Sequence, residues 1–131
     1  MSDAVIGTGI DLVECARVRR SVEKFGRRFL DRVFSSDEQN YAERQRHSCR
    51  CLAARFAAKE AFAKALGVGI GARLRWTDIE VRRRDTGEPY LQLTAAGESA
   101  LRRRGGKRVH LSLTHTERYA AATVVITGAT V

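Results

Sequence analysis

The stretch "LAARFAAKEAFAKALG", Leu52 to Gly67, constrains the fold more than any other part of this chain. Alanine and leucine favour helix, and Gly67 stands where a left-handed cap ends one. An alanine-rich helix of this kind is built to be buried, yet Arg55, Lys59, Glu60 and Lys64 interrupt it. At ~100° per residue, Leu52, Phe56, Ala63 and Leu66 share one arc, and Lys59 falls inside it. Glu60 and Lys64 lie together on the flank, beside Ala53 and Ala57. A plain amphipathic helix carries no charge there, so these charges need a purpose.

The rest of the chain supplies shorter elements. Val5 to Val13, "VIGTGIDLV", reads as a strand whose two glycines suggest close backbone approach or a bulge. From Glu14 to about Arg32 the pattern is helical and basic, with Val18, Val22, Phe25, Phe29 and Leu30 on one face and Gly26 as a break or kink. "SSDE", Ser35 to Glu38, has capping-box spacing and opens a polar helix to about Arg46. The glycines of "GVGIGARL" close a helix and do not open one after a strand, which excludes a dinucleotide fingerprint. "DIEVRRRDTGEPYLQL" alternates about a turn at Asp85 to Glu88 and reads as a hairpin. Thr94 caps a helix to about Arg104, ended by Gly105 and Gly106. "RVHLSLTHT" and "YAAATVVIT" form a final antiparallel pair joined at Thr114 to Arg118. This order predicts an α+β fold, an antiparallel sheet with a long central helix, in a single domain spanning residues 1–131.

Composition narrows the function. No apolar run approaches the ~20 residues of a membrane helix. "MSDAVIGTGIDLVE" lacks the basic flank of a secretory signal, so the expected location is the cytoplasm. Cys15, Cys49 and Cys51 match no zinc or redox spacing and are expected to be reduced structural thiols. The 24 Lys and Arg against 15 Asp and Glu leave a charge of +9, which points to a polyanionic partner. That partner could be nucleic acid, anionic lipid, a phosphate-rich cofactor or an acidic protein. Nothing resembles a zinc finger, a paired-helix DNA reader or an RNA-binding aromatic strand.

Singly, the polar residues carry little information. Asp11 could cap a helix starting near Leu12, Lys59 could snorkel, and Glu60 with Lys64 form an ordinary i, i+4 pair. Together, one Asp and one Glu suit Mg²⁺, which takes oxygen ligands and keeps waters and substrate phosphates. Nearby Lys and Arg would neutralise the remaining phosphate charge. From the residues alone, the class is Mg²⁺-assisted chemistry on a pyrophosphate.

"GTGIDLVE", "LAARFAAKEAFAKALGVGIG" and "HLSLTHTERYAAATVVI" occur in order along nearly the whole chain. With "GEPYLQL", they make it resemble the small, bacterial-type holo-[acyl-carrier-protein] synthases, a branch of the 4′-phosphopantetheinyl transferases. The resemblance implies transfer of phosphopantetheine from coenzyme A to a serine of apo-acyl carrier protein, in support of fatty acid biosynthesis. It implies Asp11 and Glu60 as Mg²⁺ ligands, with Lys64 on the coenzyme A pyrophosphate and Gly67 letting backbone pass close by. Arg46 and Arg55 would meet the nucleotide phosphates, including the 3′-phosphate. His115, Thr116 and Pro89 would line the nucleotide pocket from a neighbouring subunit of a homotrimer. Arg17, Lys24, Arg28 and Phe29 are the implied docking residues for the acidic carrier. The serine proton would go to Glu60 or to a metal-bound water. On this reading the charges of the central helix all point into one shared phosphate site. The rival readings are the same reaction on a polyketide or peptide-synthesis carrier, and a small basic nucleic-acid-binding module.

Overall fold

The computed structural model describes residues 3–71 and 73–129. Its main sheet has three antiparallel strands in the order β1 (Ala4–Glu14), β5 (Tyr119–Gly128), β4 (Gly106–His115). The sheet brings the start of the chain against its end, with Asp11 opposite Ala122 and Leu113 opposite Ala122 from the other side. Alternation along β5 is clean. Ala120, Ala122, Val124 and Ile126 are buried, while the residues between them face outward.

Helix α4 (Ser48–Leu66) lies across the inner face of this sheet. Gly7 and Gly9 make that approach possible. A Cβ at Gly9 would fall inside contact distance of the Ala61 carbonyl oxygen, and one at Gly7 would do the same at Ala65. The facing helix surface is equally bare, with Ala57, Ala61 and Ala65 fully or almost fully buried. The other side of α4 is covered too, by α1 (Cys15–Phe25), α3 (Ser36–Glu43) and the hairpin of β2 (Ile79–Arg83) and β3 (Pro89–Leu93). The central helix is therefore buried on nearly every side.

Most expected elements are present, with shifted ends. The basic helix is cut in two at Gly26, where φ is 57° and ψ is −133°, giving α1 and α2 (Arg27–Val33). The Ser35–Glu38 capping box forms in full, but its helix α3 stops at Glu43, short of Arg46. The central helix starts earlier than expected, at Ser48, and ends at Gly67 with φ 74°. Thr94 caps α5 (Ala95–Arg103) by accepting from the Gly97 N–H. A 3₁₀ turn at Trp76–Asp78 was not expected from the sequence; Asp78 fixes it by accepting from Arg75 N and from the Thr94 hydroxyl. Among the described residues no helix is long and apolar enough to cross a membrane. All three cysteines are free, and burial pushes the Cys15 and Cys51 thiols up, which favours the thiol over the thiolate.

Candidate active site in two halves

Asp11 does not cap a helix; it sits within β1, and α1 begins at Cys15. It shares the inward register of Ala122, so its side chain meets the C-terminal half of α4. There Lys64 Nζ donates to Asp11 Oδ1 at 3.0 Å and to the Ile10 carbonyl at 2.9 Å. Glu60 stands one turn before Lys64. Burial raises its carboxyl above the usual carboxylate range, the charge of Asp11 raises it further, and Lys64 and Arg17 pull it back. Two carboxylates thus repel each other at a half-covered surface, an arrangement that a divalent cation relieves. Among the described residues no three or more His, Cys, Asp or Glu come together as a cage. This donor set fits Mg²⁺, which keeps waters and takes phosphate oxygens from its substrate, and does not fit a structural zinc site. Gly67, three residues after Lys64, is exposed, with its N–H bonded back to the Lys64 carbonyl at 3.0 Å.

The remaining cations do not join this cluster, contrary to the expectation of one shared phosphate site. Arg55 and Lys64 are nine positions apart, which at ~100° per residue places them on opposite sides of α4. Lys59 faces neither site. It is sealed in the interior, with its Nζ on Glu38 Oε1 at 2.7 Å and on the Val33 carbonyl at 2.6 Å. The helical wheel gave the directions of these charges but not their partners, which come from α3 and the end of α2.

Arg55 instead opens onto a second cleft of about 470 Å³, shared with Arg46, Arg50, His47, Arg83 and His115. The side chain of Arg55 is almost wholly buried, with only 2% exposed. One guanidinium nitrogen bonds Cys51 Sγ at 3.0 Å, and the guanidinium carbon lies 4.4 Å from the centre of the Tyr41 ring. Its Nε has no partner among the described residues. Among the described residues no carboxylate lines this cleft, so it is an anion receptor by composition. The structure therefore groups Arg46 and Arg55 with His115 of the same chain, and not with Asp11 and Glu60. Thr116 follows His115 in the β4–β5 turn, where its hydroxyl accepts from Tyr119 N at 3.1 Å. Pro89 lies elsewhere, in a depression bordered by Arg84, Arg108 and His110. Sequence reasoning did not single out Tyr41 or Arg83; the only signal was their helical and strand spacing from Glu38 and Val81.

Of the docking residues, Arg17 and Lys24 are exposed on α1 and Arg28 on α2. Phe29 differs from expectation: it is half-buried, packed edge-on to Phe34 with ring centres 6.0 Å apart. The exposed aromatic is Phe25, with Lys24 Nζ 5.2 Å from its ring centre.

The profile of the 4′-phosphopantetheinyl transferase superfamily matches residues 7–124, the span from the glycines of β1 to the middle of β5. Within that class, the chain is 41% identical over 122 residues to holo-[acyl-carrier-protein] synthase of Koribacter versatilis, covering 93% of this chain and 98% of the relative. The crystal structure of the Neisseria meningitidis holo-[acyl-carrier-protein] synthase superposes with a TM-score of 0.87 at 34% identity, covering 94% of this chain and 98% of that one. The Helicobacter pylori holo-[acyl-carrier-protein] synthase, solved in complex with coenzyme A, gives 0.80 at 31% identity, covering 91% and 98%. The chain thus belongs to the holo-[acyl-carrier-protein] synthase branch of the 4′-phosphopantetheinyl transferase superfamily, the family that its motifs resemble.

Proposed function

We propose that this chain transfers 4′-phosphopantetheine from coenzyme A to a serine hydroxyl of apo-acyl carrier protein, in the cytoplasm, with Mg²⁺, and as one domain over residues 1–131. The observation that carries the reading is the pairing of Asp11 with Glu60, flanked by Lys64, in a chain of this family.

Asp11 and Glu60 would hold Mg²⁺, which supplies positive charge to the pyrophosphate when bound. Lys64 exchanges its contact with Asp11 for a pyrophosphate oxygen and stabilises charge as it builds on the leaving group. The serine oxygen bonds to the phosphorus that carries pantetheine, the bridging P–O bond breaks, and adenosine 3′,5′-bisphosphate leaves. The serine proton passes to a base. Arg46, Arg55 and His115 hold the nucleotide phosphates, with Thr116 beside the nucleotide and Pro89 reaching it from a neighbouring subunit.

A site split across the two faces of α4 supports assembly, because one chain's metal half can meet a nucleotide half only on another copy. The outward face of β1 suits such a contact, with Ile10 65% and Leu12 66% exposed. A head-to-tail contact of this kind closes as a ring, and the family resemblance gives a ring of three. The carrier docks on Arg17, Lys24 and Arg28, with Phe25 offering an exposed ring and Phe29 half-buried against Phe34 at the edge of this face. Arg17 is close enough to act on the Glu60 carboxyl, so a partner on α1 borders the metal half.

The test is the intact mass of apo-acyl carrier protein after incubation with coenzyme A and Mg²⁺. One added phosphopantetheine is expected, abolished by EDTA and by Asp11→Ala or Glu60→Ala. Unchanged carriers of every kind, with folded enzyme, would overturn the reading. A preference for polyketide or peptide-synthesis carriers would show in the same assay.

A further inference from the structure

The buried Glu38–Lys59 pair belongs to neither half-site, yet it is tied into four segments at one point. Glu38 Oε1 accepts from Lys59 and from the Ser35 N–H at 2.9 Å, and Oε2 accepts from the Val81 N–H at 2.9 Å. Lys59 adds the Val33 carbonyl at the end of α2. One step from this knot, on three different elements, stand three residues of the anion cleft. Tyr41 is one turn beyond Glu38 on α3, Arg55 one turn before Lys59 on α4, and Arg83 two residues beyond Val81 on β2. Both guanidiniums approach the same ring, with carbons 4.4 Å (Arg55) and 5.8 Å (Arg83) from the Tyr41 centroid.

A ring that both guanidiniums approach attracts each of them and offsets part of their mutual repulsion. Arg55 is desolvated and no carboxylate among the described residues lines its cleft, so an anion there would balance its charge. Two guanidiniums held together match a phosphomonoester, which offers three terminal oxygens and nearly two negative charges. Coenzyme A has one such group, and its pyrophosphate is assigned to the Lys64 side. We propose that Tyr41 is a positioning residue that holds Arg55 and Arg83 as a two-guanidinium receptor for the phosphomonoester of coenzyme A, with Arg83 a phosphate contact in its own right. The inference rests on the transferase reading for the identity of its ligand.

The experiment compares coenzyme A with 3′-dephospho-coenzyme A as substrates of the wild type, Tyr41→Leu, Tyr41→Phe and Arg83→Gln. It is paired with calorimetric binding of adenosine 3′,5′-bisphosphate and adenosine 5′-monophosphate. Tyr41→Leu and Arg83→Gln are expected to raise KM for coenzyme A about tenfold, the cost of one charge-assisted bond. KM for the dephospho substrate and kcat should stay within about twofold, and Tyr41→Phe should keep the wild-type ratio. An equal rise for both substrates, or an unchanged ratio in Arg83→Gln, would overturn the proposal. If Tyr41→Leu fails to fold, Arg83→Gln at the exposed end of β2 decides alone. If the wild type modifies no carrier, the transferase reading fails, and calorimetry still tests the receptor by itself. Loss of bisphosphate preference in Arg83→Gln supports the receptor, and its retention refutes it.

Discussion

Replacing Lys59 by methionine keeps most of the side-chain volume while deleting the ammonium. Glu38 would then sit fully buried with only the Ser35 and Val81 N–H groups on its carboxylate, and the Val33 carbonyl would lose its donor. Breaking a buried pair from one side costs about 3–5 kcal/mol, and the two surviving N–H bonds place this case near the lower end. At ~2.1 cal/mol/K per residue, the 131-residue chain has an unfolding entropy of ~0.28 kcal/mol/K, so about 3 kcal/mol lowers Tm by about 10 °C. Denaturant unfolding and thermal melts at fixed protein concentration read this directly. The double variant Lys59→Met/Glu38→Gln removes the stranded charge and should recover about 1–2 kcal/mol of the loss. A single-variant cost below about 1 kcal/mol, or strict additivity in the double variant, would refute the role given to this pair.

Three other outcomes are expected. Folded Glu60 binds its proton more tightly than unfolded Glu60, so its ionisation weakens the fold as pH rises from about 4.3 through its raised value. With EDTA present, Glu60→Gln should melt above the wild type at neutral pH and level with it below about pH 4, as Tm against pH will show. Gly9→Ala should destabilise by about 3 kcal/mol, because its methyl meets the Ala61 backbone and α4 must lift from the sheet; denaturant unfolding measures it. If the ring forms as proposed, Leu12→Lys should break it into monomers with little change in monomer fold, seen by light scattering and circular dichroism.

What could be read from the sequence depended on how local its cause was. The Ser35–Glu38 box, the Thr94 cap, the Gly67 terminus and the β2–β3 turn are decided within a few residues, and each stands where the pattern put it. The Asp11–Glu60–Lys64 cluster was legible as a combination of residue types, and the sheet register brings it together. Arg55 and Lys59 were not legible. A helical wheel assumes one buried face, whereas α4 is covered by a sheet on one side and by α3 and β2 on the other. Its charges were therefore settled by Glu38 and Tyr41, residues remote in the chain. The exposure of Phe25 and the half-burial of Phe29 were not legible for a related reason: Gly26 ends α1 and starts a separate helix, so the two rings do not share one continuous helical face.

The placement of Lys64 and Arg55 on opposite faces of one helix has a genetic consequence. In a ring built as proposed, each site joins the metal half of one subunit to the nucleotide half of the next. An Asp11→Ala subunit and an Arg55→Gln subunit would each be inactive alone. Mixed in one ring, an interface uniting their two intact halves would work, so two null alleles would rescue each other. A subunit carrying both lesions would do the reverse and silence both sites it enters, making it a dominant inhibitor of its normal neighbours.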